Sequence, residues 1–150
     1  MGGLLSCNQL AHIEEIVQQI AASSGKPSYS FGYSSSANLN TWLEHGPKIS
    51  SNKNGIPFGL NNGQITNIWV GNSQLVAFDI TAYWHLGDEV SLTALTTVSI
   101  PNTSRIATFN VDDFGIVTVP KDVQIAFRVT AVPGGNPRDI GLHATIVGTA

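Results

Sequence analysis

The stretch "DITAYWHLGDEVSL", residues 79–92, holds a phenol, an indole, an imidazole and two carboxylates, Tyr83, Trp84, His85, Asp88 and Glu89, within seven positions. Such a set forms a reactive site only if its members converge on one ligand. The run "VAFDITAYW" alternates strictly: Val76, Phe78, Ile80, Ala82 and Trp84 go to one face, and Ala77, Asp79, Thr81 and Tyr83 to the other. Tyr83 and Trp84 therefore diverge. "HLGDE" is expected to connect two strands, with Gly87 turning the chain and Asp88 and Glu89 solvating it.

The other reactive residues give no stronger constellation. Asp112 and Asp113 are adjacent, so on a strand they would point apart, whereas paired glycosidase carboxylates face a common gap. His12, His45, His85 and His143 show no close metal-ligand spacing. "GYSSS", residues 32–36, has the first half of a serine nucleophile motif without the second glycine, and is expected to be a serine-rich loop. "PGGNPRDIG", residues 133–141, has no following helix to cradle a phosphate and reads as a long turn between the last two strands. The lone Cys7 excludes an internal disulfide. These patterns point away from an enzyme, and no metal or cofactor is expected.

The elements that carry these residues are of two kinds. In residues 6–24, Leu10, Ile13, Val17 and Ile20 line one helical face, Ser6 and Gln9 form a capping box, and Gly25 and Pro27 end the run. That stripe is a candidate assembly contact, with packing on the chain's own domain as the alternative. From Tyr29 onward, alternation and Asn-Gly turns predict about eight strands. "VQIAFRVTAV" sends Val123, Ile125, Phe127, Val129 and Ala131 inward and Gln124, Arg128 and Thr130 outward. "IGLHATIVG" sends Ile140, Leu142, Ala144 and Ile146 inward. The expected fold is mainly β: an antiparallel β-sandwich or jelly roll with one N-terminal α-helix, divided into a helical segment 1–27 and a β-sandwich domain 28–150.

Composition narrows the function. The net charge of -3 across 150 residues gives no electrostatic reason to bind nucleic acid or an anionic membrane. Charged residues make up 11% of the chain, against about 25% in ordinary soluble domains. Ser, Thr, Asn and Gln cover the surface instead, and such a surface costs less to desolvate against a neighbour. A dimer or trimer is expected.

Three stretches, "NKNGIPFGLNNGQITNIWVGN", "AFDITAYWHLGDEVSLTALTTVSI" and "IAFRVTAVPGGNPRDIGLHATIVGTA", resemble in their order and texture the small jelly-roll-type virion proteins of tailed bacteriophages, in the style of head decoration or cement proteins. The resemblance spans Tyr29 to Ala150. It implies a non-enzymatic protein, made in the host cytoplasm, that sits on the capsid surface as a symmetric oligomer and clamps the major capsid protein or another virion protein. The alternative is a receptor-binding or carbohydrate-binding module, such as the head of a tail fibre. For it Trp42, Trp69 and Tyr83 are the candidate glycan platform.

If the stripe of Leu10, Ile13, Val17 and Ile20 meets another chain, a protein beginning at Lys26 should keep its β-type circular dichroism and cooperative melting while losing oligomerisation. An insoluble or noncooperatively melting truncation would show that the helix covers its own domain instead.

Overall fold

The computed structural model describes residues 28–44, 56–57, 62–86 and 92–148. Among the described residues, period-two alternation is realised as nine strands: β1 (Ser28–Ser36), β2 (Ile56–Pro57), β3 (Gly63–Gly71), β4 (Phe78–His85), β5 (Thr93–Ile100), β6 (Ile106–Asn110), β7 (Val117–Val119), β8 (Gln124–Ala131) and β9 (Arg138–Gly148). One sheet has the order β1-β9-β3-β6, with β7 also paired to β3; the other has the order β2-β8-β4-β5. All the pairings are antiparallel. The predicted helix over residues 6–24, with Leu10, Ile13, Val17 and Ile20, lies outside the described residues, as does Cys7.

The pairing is nested. β1 pairs with β9, β2 with β8, β3 with β6 and β7, and β4 with β5. Read from the β4–β5 hairpin outward, the chain is a double-stranded ribbon wound on itself, and the winding adds the contacts β3–β9 and β4–β8. Residues 79–85 of the opening stretch lie in β4, whose Tyr83 and Trp84 pair with Ala94 and Thr93 of β5. Gly87, Asp88 and Glu89 lie outside the described residues.

One core fills the space between the sheets. Ile140, Leu142, Ala144 and Ile146 of β9 meet Ile125, Phe127 and Val129 of β8 there, as their alternation predicts. The rings of Phe31 and Phe127 join the layers edge to face at 4.8 Å. Ala131 departs from the expected pattern. A register shift between the pairs Asp79–Ala131 and Ile80–Val129 leaves it half-buried, outside the core. Thr81 and Tyr83 are also buried although they point away from the core, because side chains on the outer face cover them.

Two further expectations are corrected. "GYSSS" is strand, not loop: β1 runs through Ser36, with a bulge between Tyr33 and Ser36. Asp112 and Asp113 lie on the single helical turn α1 (Val111–Phe114) between β6 and β7, not on a strand. The cause is local. Asn110 Oδ1 accepts the Asp112 N–H at 2.8 Å and Asp113 Oδ2 accepts the Asn110 N–H at 2.9 Å, a reciprocal cap that outcompetes continued pairing. Gly115, at φ 81°, then releases the chain into β7.

The two lateral sides of the molecule differ. On one, the segment after β1 ties the sheets together: Leu43 N donates to Phe127 O at 2.9 Å, and Glu44 N donates to Gly32 O at 2.7 Å. Leu43 is fully buried between them. On the other side β5 lies against β7 and α1.

Candidate functional site

The outer face of the β2-β8-β4-β5 sheet gathers two of the three platform aromatics. Pairing of Thr81 with Arg128 and of Tyr83 with Ala126 puts Tyr83 and Arg128 side by side, and a bridge from Trp42 to Arg128 brings in the indole. The Arg128 guanidinium carbon lies 5.0 Å from the Trp42 ring centre and 4.9 Å from that of Tyr83. Arg128 Nη2 donates to the Tyr83 hydroxyl at 2.8 Å. The two rings meet edge to face at 5.4 Å.

This arrangement is a clamp rather than an open platform. The cation sits against both rings, Tyr83 is only 8% exposed, and Arg128 Nε is buried with no acceptor among the described residues. Beside it the Thr81 hydroxyl is shared between Thr97 and Thr130, both at 2.8 Å, which satisfies a buried polar group across three strands. Replacing Arg128 by alanine removes two cation–π contacts and one hydrogen bond, so chemical denaturation should show a loss of about 1–2 kcal/mol.

Trp69 lies apart, on the other sheet. Register places Trp69, His143 and Ser30 in one row across β3, β9 and β1 on its outer face. The Trp69 and His143 rings lie 5.3 Å apart at 58°, and His143 Nδ1 is hydrogen-bonded to Ser30 Oγ at 2.9 Å. The next row on the same face is Gly71, Gly141 and Gly32. The Trp69 indole leans over Gly71, where an added Cβ would come within 3.0 Å of it.

A depression of about 520 Å³ adjoins the β1 end of these rows, lined by Ser30, Gly32, Ser34, Glu44, Asp139 and their strand neighbours. Asp139, opposite the β1 bulge, holds φ 52°, and its Oδ2 accepts from Ser73 Oγ at 3.3 Å. Sequence alternation placed Arg128 outward without revealing its rings. His143, Ser30 and Asp139 carried no sequence signal, because only cross-strand register joins them.

His85 is buried at the end of β4, and His12 and His45 lie outside the described residues. Among the described residues no three His, Cys, Asp or Glu side chains gather where a metal ion could be held, and no helix is long and apolar enough to cross a membrane.

No family model and no curated protein matches the chain. Among solved structures, one from a study of Bacillus endospore appendages, described as a family of disulfide-linked pili, aligns with 83% of this chain and 88% of its own at 13% identity and a TM-score of 0.38. The structure of infectious bursal disease virus strain Gx aligns with 82% of this chain and 32% of its own at 12% identity and a TM-score of 0.30. The VP2 subviral particle of the same virus aligns with 82% of this chain and 33% of its own at 10% identity and a TM-score of 0.30. This chain thus spans about a third of the length of those viral chains.

Proposed function

We propose that this chain is a non-enzymatic structural protein that works by assembly, and specifically a decoration or cement protein that binds the major capsid protein on a phage head. The reading rests on two sheet edges built without charged side chains. Among the described residues β5 and β6 end their sheets, and neither strand contains a charged residue or proline. Monomeric β proteins blunt such edges with lysine, proline or inward charge, because open backbone donors and acceptors recruit further strands. Along β6, α1 and β7 the exposed apolar side chains Ile106, Val111 and Ile116 extend the same surface, interrupted at α1 by the exposed carboxylates of Asp112 and Asp113.

The nested strand pairing supports a jelly roll, a double-sheet architecture used in viral capsid and lectin domains. Architecture alone does not assign function, so the weight rests on the charge-free strands β5 and β6 and on the sparse charge of the chain. The clamp of Trp42, Tyr83 and Arg128 argues against that pair as an open glycan platform, since the cation already occupies the rings. Electron microscopy of virus particles purified from cells making this chain tests the reading. Density for the chain at fixed positions on the shell is expected, and particles that lack it would refute the capsid role.

A further inference from the structure

Beyond the assembly role, we infer that the outer face of the β1-β9-β3 sheet, from the Trp69–His143 pair to the depression at Asp139, is a binding site for a neutral oligosaccharide. Trp69 is partly exposed and His143 exposed, so the indole and imidazole offer an apolar surface to which the C–H face of a pyranose ring can stack. Ser30 links His143 to the depression, which Ser34, Glu44 and Asp139 also line; their hydroxyl and carboxyl groups can partner ring hydroxyls, Asp139 through the oxygen that Ser73 and Arg138 do not engage. Aromatic surface bordered by a few polar groups is the composition of a sugar site, and two carboxyl groups select against an anionic sugar.

Two features of the backbone point to an occupant. Asp139 holds a left-handed conformation opposite a bulge in β1, an arrangement that re-aims a side chain and clusters at functional sites. Gly141 lies between the aromatic pair and the depression, yet among the described residues nothing requires glycine there. Of the described residues, an added Cβ would touch the Trp69 indole alone, at an ordinary 3.8 Å, and Gly141 is not among the positive-φ residues. Glycine in a strand weakens it and marks a place where a ligand or another backbone comes close. From Gly32 to Gly141 the bare floor spans one strand spacing, about 5 Å, and ends at the Trp69 indole over Gly71, so one pyranose ring can lie on the glycines while the next stacks on the indole.

Isothermal titration calorimetry of the full chain with cellotriose and with chitotriose tests the site. At least one trisaccharide should bind, with affinity lowered about tenfold or more by Trp69→Ala and by Gly141→Val. His143→Ala, at an exposed position, provides a third variant that leaves the core untouched. Absence of binding heat for both sugars at millimolar concentration would overturn the inference. So would an affinity unmoved by Gly141→Val and His143→Ala in proteins that melt as the parent does. Because the site lies on an outer sheet face, loss of sugar binding should leave the oligomeric state unchanged.

Discussion

Phe127→Ala should lower unfolding stability by about 3–5 kcal/mol, the loss expected when a large aromatic side chain is deleted from a packed core. Phe127 is 1% exposed in the middle of β8, and its ring meets Phe31 of the opposite sheet edge to face. It is therefore one of the contacts joining the two layers. The cavity would open where the sheets meet, and neither can close it without moving its register partners. Arg128, the next residue, faces the other way, and its removal should cost less than half as much. Equal losses from the two substitutions in chemical denaturation would contradict the register of β8.

The double substitution Ile106→Lys with Ile116→Lys should convert an associated protein to a monomer while leaving its melting temperature nearly unchanged. Both side chains flank the free edge, at 55% and 81% exposure, so neither lysine disturbs the core. Lysine guards an edge in two ways: it repels its own copy, and it loses hydration when another strand approaches. Sedimentation velocity would read the change directly. A double variant that still associates like the parent would move the interface away from β6 and α1.

The faces of the strands were legible in the sequence, because burial on one side of a sheet imposes a period of two on residues such as Ile140, Leu142, Ala144 and Ile146. What that period cannot carry is pairing between distant segments. Tyr83 and Arg128 could be placed on outer faces, but the indole that covers them comes from Trp42, before β2. Trp69 could be named as a platform candidate, yet its partner His143 follows only from the β3–β9 register. The serines of "GYSSS" conceal a strand because, among the described strands, β1 ends its sheet, and its outward residues need no apolar pattern. α1 has no periodic signal in the sequence, because the strand before it keeps period two up to Asn110 and the side chain of that residue, by capping, ends the pairing.

Light scattering of the full chain across a concentration series tests the assembly claim most directly. A mass corresponding to a dimer, a trimer or a larger multiple is expected, growing with concentration as the edges of β5 and β6 are buried between copies. A mass that stays monomeric at high micromolar concentration would contradict it.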